Sequence, residues 1–343
     1  MLMNDKPELR QNIVSKEWVL VAPGRRRRPD QFSSTGKDKP TPVTKCPFED
    51  PQKTNEVGPL MWYSKKGAER RFIQKHDWLL QVIPNRYPAV DTHRGKTCPV
   101  PRNMGIYRSM QGVGLHEIVI PRSHTKFLAD MTDREAELII RAYQDRILYH
   151  RDEQCLAYIF IFHNHGSRAG ASVWHPHSQI LALPIIPPDI QRSLSGSKLY
   201  MLEHKKCAHC EVIRHELKTG ERIIYKNKHF IVIAPFASQV NFEIRIFPIL
   251  HRGRFEDISS EERLLLASAL VTVLRKLKKG LKNPAYNFFI HTAPILEDRE
   301  YDYYHWHLEI FPKTSHLASV EHGTGVEILT VVPEEAAAYL RKI

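Results

Sequence analysis

The chain has 343 residues, 42% of them apolar and 26% charged, which excludes an intrinsically disordered chain and allows one large domain or two ordinary ones. Its 50 Lys and Arg against 38 Asp and Glu give a net charge of +12. That charge invites an anionic partner, either nucleic acid or a phosphorylated small molecule.

The densest basic run, residues 25–28, lies between Pro23 and Pro29, and no motif that reads DNA or RNA accompanies it. Nucleic acid is therefore not the expected partner. No stretch is apolar for long enough to cross a membrane, and the N-terminus MLMNDKPELR lacks the apolar run of a secretion signal. The protein is expected in the cytoplasm. Its five cysteines, Cys46, Cys98, Cys155, Cys207 and Cys210, form an odd set with one close pair. This points to metal binding rather than to a disulfide framework.

In chain order, residues 11–22 alternate as a strand ending at Pro23-Gly24, and residues 24–45 read as a long surface loop. Strands are expected within 71–84 and over 115–121. Residues 132–150 follow a helical period behind a capping Thr132. A buried strand over 155–162 feeds a turn of small residues, 164–172, and a strand over 180–183 stops at Pro184. The polar stretch 189–206 reads as a linker. Beyond it come strands at 231–234 and 242–247, a long helix over 259–279, strands at 286–291 and 305–311, and a short helix over 334–342. Residues 293–304 form an acidic and aromatic connection.

The two halves repeat one order of events. The first has Cys46 with Glu49, then His124 after an apolar strand, a long helix, and His175-Pro176-His177. The second has Cys207 with Cys210, then His251 after an apolar strand, a long helix, and His305-Trp306-His307. A duplicated domain explains that order. Cys207 and Cys210, three positions apart, can hold one Zn²⁺ and need two further ligands to complete a tetrahedron. His251 and His305 are the candidates, with His209 and His307 as competitors. Cys46, Glu49, His124 and His175 make a second, softer set, for which Cys98 is an alternative ligand. In an extended segment His175, His177 and Gln179 face the same way, and so would His305, His307 and Glu309. His177 can attack phosphorus once one ring nitrogen is unprotonated and the other is held by an acceptor. Gln179 and Ser167 can supply neutral hydrogen bonds to the phosphoryl oxygens, and Arg28 a positive fork.

These residues make the chain recognisable. The ordered segments are WVLVAPGRRRRP from Trp18, CPF from Cys46, VIPNRYPAV from Val82, HEIVIPRSH from His116, NHGSRAGAS from Asn164, HPHSQ from His175, PIIPP from Pro184, CAHC from Cys207, NFFIHTAP from Asn287 and YHWHLEI from Tyr304. Together they resemble the galactose-1-phosphate uridylyltransferase family of the histidine triad superfamily, which includes the related ADP-glucose phosphorylases. The resemblance runs from Trp18 to the C-terminal helix. It implies an α+β fold of two histidine-triad-type domains, 1–190 and 191–343, each an antiparallel sheet with packed helices. It implies a covalent nucleotidyl intermediate on His177, with Gln179 on its phosphoryl oxygens. Arg28, Asn85, Asn164 and Ser172 are implied nucleotide contacts. Zn²⁺ is implied on Cys46, His124 and His175, where Glu49 replaces the usual cysteine, and a second ion on Cys207, Cys210, His251 and His305. A homodimer is implied as well.

The expected reaction moves a nucleoside monophosphate, UMP in the first reading, between an NDP-sugar and a hexose 1-phosphate. The alternative is an ADP-glucose or NDP-sugar phosphorylase with inorganic phosphate as acceptor. The sequence departs from the family at SVEHGTGVEILTVVP from Ser319, where members often read GFExGTG and then YINP. In the family that stretch belongs with sugar or acceptor recognition, so the sugar stays open; the base stays open as well, because its choice depends on pocket shape that a few polar residues do not reveal. His163 and His165 are expected to pack against strands, and Trp174 to fill core or wall the base pocket.

Overall fold

The computed structural model describes residues 6–27, 40–54, 58–64, 67–69, 78–92, 98–295, 301–315 and 318–343. Arg28 and the expected strand residues 71–77 lie outside them.

Alternating apolar residues build one sheet that runs through both halves. Among the described residues it has twelve strands, all paired antiparallel except the short Asp91–Thr92, which runs parallel to Val113–Pro121. The join lies at the centre, where Tyr158–His165 of the first half pairs with Tyr286–His291 of the second, Ile161 opposite Ile290 and Asn164 opposite Asn287. The resemblance implies two antiparallel units but not that they share one sheet, because that pairing is tertiary.

Two long helices, Asp133–His150 and Ser260–Gly280, cover the sheet together and share a single apolar core with strands of both halves. Each starts with a reciprocal capping box, Thr132 with Glu135 and Ser259 with Glu262, which satisfies backbone N–H groups that have no partner inside the helix. Gln144 ties the pair by donating to Glu256 O and Ile258 O, each at 2.7 Å. The two halves run in register here: Pro121 and Pro248 are each followed three residues on by a histidine and eleven residues on by the capping Thr or Ser.

Two expectations are corrected. Residues 189–206 are no linker, for Pro188–His204 is a helix. Pro188 occupies the first helical positions, where its missing N–H costs nothing, and Ile190, Leu194 and Ser197 form the buried stripe. Lys205 closes it in the left-handed conformation at φ 55°. Further, Cys98 is bonded to Cys155, with Cα atoms 5.0 Å apart, so the odd cysteine count hid one disulfide and Cys98 is not available as a metal ligand.

The two ends of the chain meet. The hairpin of Glu8–Gln11 and Trp18–Val21 takes Glu327–Leu329 as a parallel third strand. Arg10 donates to both carboxylate oxygens of Glu334 at 3.0 Å. The basic run touches the same end, Arg26 lying 2.9 Å from Glu335. No helix among the described residues is long and apolar enough to cross a membrane.

Candidate active site and metal centres

The strand Ser178–Leu183 lies between Tyr158–His165 and Val113–Pro121, and the His-Pro-His run enters it from the turn before Ser178. Gly114 permits the close approach on one side, since a Cβ there would come within 2.1 Å of Ala182 O. The turn itself uses Gly166 at φ 83° and Gly170 at φ 87°, a region that side chains with a Cβ avoid.

His175 is fully buried. Its Nε2–H donates to Pro121 O at 2.8 Å, so Nδ1 carries the lone pair and faces inward. His124 repeats the arrangement with Nε2 on Thr41 O at 2.8 Å. The two bare Nδ1 atoms stand 3.3 Å apart. Glu49 Oε1 is 3.0 Å from His124 Nδ1, and Cys46 Sγ is 3.6 Å from His175 Nδ1. Glu49 Oε1 is buried and accepts no hydrogen bond, while Arg122 holds Oε2 at 3.1 Å. Lone pairs and a carboxylate aimed at one point repel unless a cation sits there. Zinc bonds of about 2.3 Å to sulfur and about 2.0 Å to nitrogen give tetrahedral edges of about 3.3 Å for N···N and about 3.5 Å for S···N. The four donors fit that ion.

The second set repeats the first. His305 Nε2 donates to Pro248 O at 2.9 Å and His251 Nε2 to Asp302 O at 2.7 Å. Their Nδ1 atoms turn toward the thiols, with Cys210 Sγ 3.3 Å from His251 and 3.5 Å from His305, and Cys207 Sγ 3.9 Å from His305. The Cys210 thiol, then His251 and His305, draw the Cys207 thiol far below its ordinary value despite burial. These four fit the same ion, and the competitors do not join them. His209 packs on Phe247 and His307, and His307 turns to Glu309. His291, His307 and Glu309 also converge. There Arg245 already supplies the positive charge, its Nε 3.0 Å from Glu309 Oε1.

His305 and His307 do not share a face as an extended run would have them. The strand starts only at His307, and His305 turns to the thiols. Likewise, the strand after His177 starts at Ser178, and His175 and His177 have different partners. His177 Nδ1–H donates to His175 O at 2.9 Å, which leaves Nε2 with the lone pair. Burial pushes the ring below the ordinary imidazole value, partly opposed by that bond, so the ring stays neutral and nucleophilic at neutral pH. The Phe48 ring lies edge-on against it, centroids 5.1 Å apart.

Gln179, half-buried, reaches His116, with Oε1 2.8 Å from the imidazole Nε2, and Asn85 Nδ2 lies 3.2 Å from the same nitrogen. Asn164 is opposite Asn287 at the join, and Asn287 Nδ2 donates to Asn164 Oδ1 at 2.8 Å and to Ala169 O at 2.7 Å. Ser167 begins the single turn Ser167–Ala169 that follows, and Ser172 is exposed beyond it. His163 and His165 pack as expected, stacked on Phe288 and Tyr286. Trp174 sets its ring edge-on against Phe127.

Sequence reasoning gave no role to Phe48, His116, Asn287 or the buried chain from Tyr143 O–H to Ser178 Oγ to His163 Nδ1. Phe48, His116 and Asn287 stand inside quoted motifs, which mark the segments without telling what each side chain does.

The His-x-His run ahead of the strand, with one ring among four donors that fit a metal ion and the next keeping a bare Nε2 lone pair, belongs with the nucleotidyltransferase class. The family model for the galactose-1-phosphate uridyl transferase N-terminal domain matches residues 2–187, and the chain belongs to the galactose-1-phosphate uridylyltransferase family. It is 34% identical to an ADP-glucose phosphorylase of Arabidopsis thaliana, over 99% of this chain and 94% of that protein. It is 32% identical to a galactose-1-phosphate uridylyltransferase of Thermotoga maritima, over 98% of each. Among solved structures, the Arabidopsis ADP-glucose phosphorylase with bound ADP-glucose superposes with a TM-score of 0.80 at 33% identity, covering 98% of this chain and 99% of that one. A uridylyltransferase structure gives 0.72 at 28% identity, covering 98% of both.

Proposed function

We propose that the protein transfers a nucleoside monophosphate, UMP in the first reading, between an NDP-sugar and a hexose 1-phosphate by way of His177. The observation that carries this is the His177 tautomer: Nδ1–H is tied to His175 O, so Nε2 presents a lone pair. In the first step Nε2 attacks the α phosphorus. The bond from phosphorus to the bridging oxygen breaks, and hexose 1-phosphate leaves with that electron pair. In the second, an acceptor phosphate oxygen attacks the same phosphorus, and the pair in the N–P bond returns to Nε2. No water and no organic cofactor enter the balance. Two easier displacements replace one, and the nucleotide is held through both.

Gln179 meets the phosphoryl oxygens in this reading. Asn85, Asn164, Ser167 and Ser172 contact the nucleotide, and Arg28, outside the described residues, is read from the resemblance as a further contact. Zn²⁺ fits Cys46, Glu49, His124 and His175, and again Cys207, Cys210, His251 and His305. Its role would be to fix ring and backbone, because the carbonyl that orients His177 belongs to His175. The reading also takes the chain as two histidine-triad-type units, 1–190 and 191–343, acting in a homodimer in the cytoplasm, where nucleotides and sugar phosphates are found.

A second reading has inorganic phosphate as acceptor and ADP-glucose as donor. It is favoured by the full-length similarity to ADP-glucose phosphorylase and by the departing stretch after Ser319. One assay separates them. UDP-glucose or ADP-glucose is offered with galactose 1-phosphate or with phosphate. A new NDP-sugar supports the first reading and release of NDP the second. If neither forms, the transfer assigned here is wrong.

A further inference from the structure

We propose that His116 is a positioning residue that sets which way round the Gln179 amide stands, so that its NH₂ and not its oxygen meets the phosphoryl group on His177. The inference rests on the reading of His177 as the nucleophile.

His116 lies in the strand Val113–Pro121 opposite Leu181, and Gln179 lies opposite Ile118, so the two are diagonal neighbours on one face. The Ala89 N–H donates to His116 Nδ1 at 3.1 Å. A nitrogen that accepts carries no proton, and the proton of the neutral ring therefore sits on Nε2; the Asn85 amide nitrogen, 3.4 Å from Nδ1 and 3.2 Å from Nε2, lies near both and selects neither. Nε2–H then donates to Gln179 Oε1 at 2.8 Å. Burial favours the neutral ring, although the bond to Gln179 works the other way.

The consequence falls on the far end of the amide. A glutamine amide has almost the same shape when turned over, but its two ends have opposite polarity. With Oε1 taken, both Nε2 hydrogens of Gln179 are left for acceptors, and phosphoryl oxygens only accept. The reversed amide would place an oxygen lone pair against the charge that grows in the transition state. The ring that decides this is held in turn. Asn85 N–H donates to His116 O at 2.7 Å, Asn85 Oδ1 accepts from Tyr87 N–H at 3.0 Å, and Ala89 caps Nδ1. The main chain over 85–89 thus chooses the tautomer of His116, and His116 chooses the orientation of Gln179.

The test compares wild type, H116F, H116N, H116Q, Q179A and H116F/Q179A, each with metal content and thermal midpoint as folding controls. The rate of nucleotidyl-adduct formation is followed by rapid-quench intact mass with UDP-glucose and with ADP-glucose. H116F should slow the adduct roughly ten- to hundredfold, with half-saturating donor changed less than about threefold. H116N should be equally slow, because its amide reaches only the Nδ1 position. It keeps the Ala89 contact, and it decides the matter where H116F folds poorly. H116Q should recover most of the rate, because its Nε2 reaches where the imidazole Nε2 stands. In the Q179A background H116F should add no more than about a twofold loss. Unimpaired H116F and H116N, fully additive losses, or H116Q no better than H116F each overturn the proposal. A wild type that forms no adduct from either donor overturns the nucleophile reading and this proposal with it. A wild type that does, beside unimpaired variants, overturns this proposal alone.

Discussion

His307 faces Glu309, its Nε2 3.2 Å from Oε1, at the place in the second half where the first half has His177 and Gln179. The backbone device is the same, His307 Nδ1 meeting His305 O at 3.1 Å as His177 Nδ1 meets His175 O at 2.9 Å. The difference is one amide against one carboxylate. A phosphoryl oxygen beside Gln179 finds donors. Beside Glu309 it would find a negative charge whose counter-ion, Arg245, is shared with Glu243. We therefore expect all covalent chemistry in the first half. His177→Gly should abolish the nucleotidyl adduct, and His307→Gln should keep it at a rate within about threefold of wild type. Gln179→Glu, which gives the first half the chemistry of the second, should slow adduct formation about a hundredfold or more. Peptide mapping of the trapped adduct checks this, and label on the peptide containing residue 307 would refute it.

The two metal clusters should differ in hold. Two thiolates and two imidazoles suit Zn²⁺ better than one thiolate, one carboxylate and two imidazoles. Metal analysis of the pure protein should give about two zinc ions per chain. A chelator titration should remove the ion on Cys46, Glu49, His124 and His175 first, with activity falling in step. Cys210→Ser should lose the other ion and lower the thermal midpoint while retaining the first. A chelator that empties both sites together would contradict this ranking.

The legible parts of this chain are those where chemistry restricts the residue type. Four cysteine, histidine or carboxylate ligands repeated in one order can be read without a structure, and so can Thr132 with Glu135 at a helix start. The Pro188–His204 helix was not legible because its buried stripe is thin and prolines precede it, and proline reads as a breaker until it is placed in the first turn. The Cys98–Cys155 bond was hidden because spacing says nothing of partners 57 residues apart. The role of His116 depends on a loop N–H and a neighbouring strand, both tertiary facts. A lone histidine in a strand is ordinarily core packing.

Glu117 and Arg146 form a buried pair behind this strand, each only 3% exposed. Arg146 Nε donates to Glu117 Oε2 at 2.7 Å, and His150 Nε2 lies 3.0 Å from Oε1. Burial alone would raise the Glu117 carboxyl. His150 and Arg146 outweigh it and hold the group below its ordinary value. The unfolded chain therefore binds this proton more readily. The pair's contribution is complete above the unfolded value of about 4.3 and is lost as pH falls through the lower folded value. Arg146→Met should leave the buried carboxylate with His150 alone beside it and cost about 3–5 kcal/mol near neutral pH. The loss should shrink on acidification, where Glu117 takes up a proton. Urea unfolding of wild type and variant at pH 7 and at mildly acid pH measures both. A loss that grows with acid would reverse the sign argued here.

The Cys98–Cys155 bond closes a loop over the hairpin of Arg102–Met104 and Tyr107–Ser109, the strand Val113–Pro121 and the helix Asp133–His150. Restricting a loop of 57 residues in the unfolded chain is worth about 4 kcal/mol on chain entropy alone, and measured bridges more often give about 2–4 kcal/mol. The paired variant Cys98→Ser/Cys155→Ser should therefore unfold in less denaturant, by about 2–4 kcal/mol in unfolding free energy. Zinc content should not change, because neither thiol belongs to a cluster. The same bond makes a prediction about redox conditions. Protein purified without reductant, denatured and freed of metal should show three titratable thiols, Cys46, Cys207 and Cys210, and treatment with reductant should expose two more. Five thiols before reduction would mean that the bond is open in the protein as isolated, and the double variant should then be as stable as wild type.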